Sequence, residues 1–176
     1  VGFVAHIKGQ RSHGIVLDAE QVLRNMDHRG ACGCDKKTGD GSGILTALPH
    51  EFFARVVREE LKSELPEPGL YGVAQVFLPT DVAERQICKD ELTRLVEHRG
   101  QRVIGWRRVP TDAALADIGQ AAAATEPVVE QLFVGSAPTA DRTSFCRELF
   151  LIRKQTYHAL NRRKLGQRGM YYVCSF

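Results

Sequence analysis

No stretch of this sequence reaches the run of about 18 apolar residues that a membrane-spanning helix needs, so no transmembrane segment is expected. A leader peptide is not expected either, because the chain opens directly on the strand-like run Val1-Gly2-Phe3-Val4-Ala5-His6-Ile7. Cysteine is sparse: there are five, at 32, 34, 88, 146 and 174. An odd, unevenly spaced set suits free thiols in a reducing compartment better than a disulfide framework. Cys32-Gly33-Cys34 lacks the C-x-x-C spacing of common zinc sites, and the histidines at 6, 13, 28, 50, 98 and 158 show no ligand spacing, so no metal is expected. Neither sign of charge dominates. The formal net charge is +3, from 24 basic and 21 acidic residues, which is too small to point to nucleic acid. Arg107-Arg108 and Arg162-Arg163-Lys164 are short basic clusters without interleaved aromatics and read as solvated surface. Repeats and low-complexity segments are absent.

What is present is ordinary globular composition, 43% hydrophobic and 26% charged, over 176 residues, enough for one domain with a real core. Residues 1–7 read as a buried strand. Ser12 is placed to cap a helix in which Ile15, Ala19, Val22, Leu23 and Met26 keep helical spacing. Ile44 to Leu48 reads as a strand closed by Pro49. Phe52, Phe53, Val56, Val57 and Leu61 mark a second helix, with His50 at its start in a surface or capping role. Leu70 to Leu78 is β-rich with Gly72 inside it. Asp81 and Glu84 form an acidic variant of the capping box before a helix that Gly100 stops. Strands are expected at 103–109, 128–134 and 170–176. A polar loop at 136–143 precedes a long helix carrying Phe145, Leu149, Ile152, Thr156 and Leu160. Five or six strands and four helices without a regular βαβ beat predict a layered sheet-and-helix, α+β architecture. Both ends lie within apolar runs, where domains usually carry polar tails, so the sequence is expected to be cut from a longer chain.

The densest signal is His28-Arg29-Gly30-Ala31-Cys32-Gly33-Cys34-Asp35 followed by Thr38-Gly39-Asp40-Gly41-Ser42-Gly43-Ile44-Leu45. Glycine is costly in ordered backbone, so this cluster implies special geometry or close approach to a ligand. No lysine follows Gly41 or Gly43, which excludes the phosphate-loop pattern. Gly39-Asp40-Gly41-Ser42-Gly43 leads into a strand, the reverse of a dinucleotide fingerprint. As a bare loop, the segment needs only positive φ at several glycines, with Asp40 turning the backbone. Arg29 directly before Gly30 favours a ligand, because a guanidinium and an exposed amide can address one carboxylate or polar group. Gly41-Ser42-Gly43 is not a nucleophile elbow, and no cysteine is placed at a helix N-terminus beside a base. The residues offer a binding loop without a reacting group.

Three segments carry a resemblance: the opening Val1-Gly2-Phe3-Val4-Ala5-His6-Ile7, Met26 to Gly33, and Thr38 to Leu45. With Tyr71-Gly72-Val73, Phe77-Leu78-Pro79, Gly105-Trp106-Arg107-Arg108-Val109-Pro110, Arg153-Lys154-Gln155 and Tyr172-Val173-Cys174-Ser175, they resemble the class II glutamine amidotransferase domain of glutamate synthases. The resemblance spans nearly the whole chain, and residues 1–176 match the N-terminal part of one such domain.

The resemblance implies a four-layer αββα sandwich of the N-terminal-nucleophile hydrolase type, incomplete in this chain. It implies hydrolysis of L-glutamine to glutamate and ammonia, with the ammonia passed to other domains for reductive amination of 2-oxoglutarate. Those domains are implied to use FMN and an iron–sulfur cluster, with NAD(P)H or ferredoxin as donor; no cofactor is expected in this segment. The implied partners are L-glutamine and the remaining domains, with no nucleic acid and no membrane. The implied location is the cytoplasm or a plastid. The family's nucleophile is an N-terminal cysteine whose α-amino group is the base. That cysteine and a glycine precede the Val-Gly-Phe that residues 1–3 match, and the oxyanion Asn-Gly pair lies beyond the part matched by Phe176. Of the family's pocket, Arg29 and Gly30 are carried over in supporting roles, and the main substrate ligands lie beyond Phe176. Isolated, the segment is expected to be inactive. The alternative is a non-catalytic module that keeps the amidotransferase fold for binding or assembly; a residue other than cysteine before Val-Gly-Phe in an intact gene would favour it.

Overall fold

The structure is a computed structural model and describes residues 1–26, 30, 35, 37–39, 41–138 and 140–176. It divides into two compact units, Val1–Leu48 with Ala113–Ala124, and Pro49–Asp112 with Thr125–Phe176.

The larger unit is built on one antiparallel sheet, β1 (Tyr71–Leu78), β2 (Arg102–Arg108), β3 (Val128–Gly135) and β4 (Tyr172–Ser175), in the order β2-β3-β1-β4. β1 and β3 pair without interruption from Tyr71↔Gly135 to Leu78↔Val128. The edge pairs are less regular, with shifts between Val103 and Gly105 on β2 and between Gln75 and Val76 on β1 against β4. Successive side chains in a strand point to opposite faces. Ala74, Val76, Leu78, Leu132 and Val134 therefore form one core with α3 (Val82–His98) and α5 (Arg142–Asn161), through Leu92, Val96, Phe145 and Ile152. On the other face Tyr71, Val73 and Phe133 pack with Phe53 and Val57 of α2 (His50–Glu60), and the Phe53 and Phe133 rings meet edge-on at 5.4 Å. The unit is thus three layers: α2, the sheet, then α3 and α5.

Local chemistry sets the helix limits. Asp81 accepts from the Glu84 N–H at 2.8 Å, so the expected cap forms. Glu84 does not reach back to complete the box. Its carboxylate instead accepts the Gly166 and Gln167 N–H groups at 2.6 and 2.7 Å, while Gln167 Oε1 accepts the Asp81 N–H at 2.9 Å. Gly100, at φ +71°, ends α3 with the paired bonds Gly100 N–H to Glu97 and Gln101 N–H to Val96 that a left-handed residue permits. Asp141 caps α5 through the Thr143 and Ser144 N–H groups, so that helix starts inside the expected polar loop.

The smaller unit holds α1 (His13–Asn25) and α4 (Gln120–Ala124). Ser12 occupies the N-cap position of α1, but its side chain makes no capping hydrogen bond. The expected strands at 1–7 and 44–48 are not formed. Both segments run without a ladder partner, and Val1, Phe3, Ile7 and Leu45 are exposed. Apolar, β-prone composition does not make a strand where no neighbouring strand takes its backbone groups. Among the described residues the strands therefore number four rather than five or six.

Candidate functional site

The glycine-rich loop is only partly described. Arg29, Cys32, Cys34 and Asp40 lie outside the described residues; Gly30 is exposed. Gly41 and Gly43 have open space where a side chain would stand, and Gly43 has no positive φ, so the left-handed backbone of the bare-loop reading is not used there.

Asp35 organises the far end of that loop. Its Oδ1 accepts the Lys37 N–H at 3.0 Å and its Oδ2 the Thr38 hydroxyl at 2.9 Å, an aspartate-anchored turn. The Lys37 amide, the Thr38 hydroxyl and the Ala121 and Gln120 amides, in that order of effect, hold its carboxyl below the usual carboxylate range. Lys37 Nζ pairs with Asp117 at 2.6 Å, and the Gly119 N–H donates to the Lys37 carbonyl at 2.9 Å. A side chain at 119 would collide with the Asp35 carboxylate and the Thr38 hydroxyl, so this arrangement of Asp35 and Thr38 needs glycine there. An open pocket of about 580 Å³ lies against Asp35, Lys37, Asp117 and residues 118–121. All three charged groups at its wall already have partners. The arrangement fastens residues 35–38 to 117–121 and provides no nucleophile or free base. Sequence reading missed it; the available signal was the Asp-x-Lys-Thr turn.

In the larger unit, His50 is neither a cap nor bare surface. Its Nδ1 lies 3.2 Å from the Tyr71 hydroxyl, with ring centroids 5.7 Å apart, at the start of β1. A second cavity, about 310 Å³, opens between α5 and β4 against Arg153, Lys154, Tyr157, Tyr171, Tyr172 and Val173. Arg153 Nη2 donates to the Tyr172 hydroxyl at 3.4 Å. The described cysteines are separate: Cys88 is buried on α3, and Cys146 and Cys174 are exposed on α5 and β4. Among the described residues no group of three His, Cys, Asp or Glu is arranged to hold a metal ion, and no helix is long and apolar enough to cross a membrane.

The family model of the class-II glutamine amidotransferases matches residues 1–176. The chain belongs to that family. Among curated relatives, the NADPH glutamate synthase large chain of Bacillus subtilis is 41% identical over 157 residues, covering 88% of this chain and 10% of that protein. The NADH glutamate synthase of Schizosaccharomyces pombe is 36% identical over 185 residues, 99% of this chain and 8% of the relative. The ferredoxin-dependent glutamate synthase 1 of Arabidopsis thaliana, chloroplastic/mitochondrial, is 36% identical over 176 residues, 99% of this chain and 10% of the relative. The amidotransferase chain therefore spans about a tenth of the length of these relatives. Its mixed helix-and-sheet architecture with an antiparallel sheet is compatible with the family.

Proposed function

We propose that this chain is the N-terminal part of the glutaminase domain of a glutamate synthase, which hydrolyses L-glutamine to glutamate and ammonia for reductive amination of 2-oxoglutarate. The observation that carries the reading is the amidotransferase family match over residues 1–176, joined to glutamate synthases at 36–41% identity. The complete domain under this reading is a four-layer αββα sandwich, with the sheet of the larger unit as one of its two sheets. Its nucleophile is a cysteine ahead of the Val1-Gly2-Phe3 match. A terminal amine titrates at about 7.7–8.0, so it can take the thiol proton near neutrality. Arg29 and Gly30 support that end of the pocket.

FMN and an iron–sulfur cluster belong, in this reading, to other domains of the polypeptide. Cys88, Cys146 and Cys174 lie on three separate elements, one of them buried, and do not fit a set of cluster thiolates. The donor is NAD(P)H or ferredoxin, and the location cytoplasm or plastid.

A polypeptide of residues 1–176 alone carries neither the terminal cysteine nor the Asn-Gly oxyanion pair. Incubated with glutamine, it is expected to release no more ammonia than a heat-killed control. Release above that control overturns the assignment of the nucleophile to a cysteine ahead of Val1.

A further inference from the structure

The charge of this chain is strongly segregated. Residues 142–168, which are α5 and the segment after it, hold eight of the 24 Lys and Arg and one of the 21 Asp and Glu. They carry +7, and the other 149 residues carry −4. The single acid, Glu148, is already bound to Arg99, and Arg163 is bound to Glu91. Among the described residues Arg153, Lys154, Arg162 and Lys164 form no ion pair; Arg153 meets Tyr172, through the hydroxyl and the ring.

Helical geometry puts Arg147 and Lys154 on the outer side of α5, with Arg153 at the border towards the cavity and Arg162 and Lys164 just past the helix end. Phe145, Leu149, Ile152, Thr156 and Leu160 turn inward, which leaves Arg147, Phe150, Lys154, Tyr157 and His158 on the opposite stripe. Phe150 is 55% exposed and Tyr157 49%. Exposed aromatic rings with arginine, beside a cavity that Arg153 and Tyr172 line, are residue types that binding patches favour, and the lysines add charge. We propose that the outer face of α5, with the cavity between α5 and β4, docks a protein segment rich in aspartate and glutamate, one carboxylate entering the cavity at Arg153.

The ring environments favour protein over nucleic acid. Single-stranded nucleic acid stacks its bases on open aromatic faces. Here the Lys154 ammonium lies 5.8 Å from the Phe150 centroid, and the Arg153 guanidinium lies 5.8 Å from that of Tyr172. A membrane surface needs a continuous apolar helix face, and that of α5 is committed to the core. A carboxylate meets a guanidinium in the geometry both prefer, and the field of the basic stripe draws an acidic segment in.

The test uses the 176-residue chain and a fluorescein-labelled Glu/Asp-rich peptide, followed by anisotropy. Binding is expected to weaken as salt rises. Arg153→Gln is expected to weaken it by on the order of tenfold, as loss of a charge-assisted contact does. Arg11→Gln, an equal loss of charge at an exposed site in the other unit, is expected to change it little. A second measurement needs no variant: carbodiimide coupling of the same peptide to the unaltered chain, mapped by mass spectrometry, is expected at Lys154 and Lys164. Equal weakening by both variants, or coupling at Lys8 and Lys62 instead, overturns the proposal. So does tighter binding of poly-uridylate or of phosphatidylserine vesicles than of the peptide.

Discussion

Thiol chemistry separates the cysteines more sharply than their spacing does. Burial, then the nearby charge of Glu84, pushes the Cys88 thiol up to about 11, so at neutral pH it is a protonated apolar side chain. Cys146 and Cys174 are exposed. Iodoacetamide treatment of the native chain, read by mass spectrometry, is expected to label Cys146 and Cys174 first and Cys88 at least about a hundredfold more slowly. The sequence supported the view that none of these three is a nucleophile, because none stands beside a base at a helix start. It marked Arg29 and Gly30 by composition, but Arg29 lies outside the described residues and Gly30 is known only as exposed. The Asp35 turn was not legible as a fastening point. Lys37 and Asp117 stand 80 positions apart, and no local pattern announces such a pairing.

Elements were readable where local chemistry and burial agreed. The helix opened by Asp81 and stopped by Gly100 has both signals in its sequence and an apolar stripe to bury. Asp141 shows the limit: the apolar period starts at Phe145, so the first turn of α5 reads as loop until the cap is seen. Residues 1–7 and 44–48 show the converse, since a strand is a property of a pair. Gly72, inside β1, has a packing reason. A Cβ there would stand 2.6 Å from Leu149 Cδ1, a side chain of α5 in the main core. Gly72→Val is expected to lower stability by about 1–3 kcal/mol, measured by urea denaturation, because the packed Leu149 side chain must give way in the core. Gly43→Ala, with nothing within 4 Å, serves as the unstrained comparison.

At the scale of the whole molecule, stability depends on ionised carboxylates that hold elements together. Glu91 is held below the usual glutamate range by Arg94 and then Arg163, and Glu148 by Arg99. Each binds a proton less readily folded than unfolded. Their contribution is therefore complete above the unfolded value of about 4.3 and is lost as the pH falls through the lower folded values. Urea midpoints measured from neutral pH down to pH 3 are expected to hold steady and then fall through that window, and Glu148→Gln is expected to flatten the fall. The bonds from Glu84 to Gly166 and Gln167 have a consequence for how the fold opens. They join positions 82 and 83 residues apart and lie between the first turn of α3 and the approach to the edge strand β4. Ring closure over that span costs chain entropy that only long-range contacts recover. The helix start and the edge strand β4 are therefore expected to open together, read as a shared hydrogen-exchange rate at Gly166, Gln167 and along β4, and an opened β4 leaves a strand edge free for a wrong neighbour.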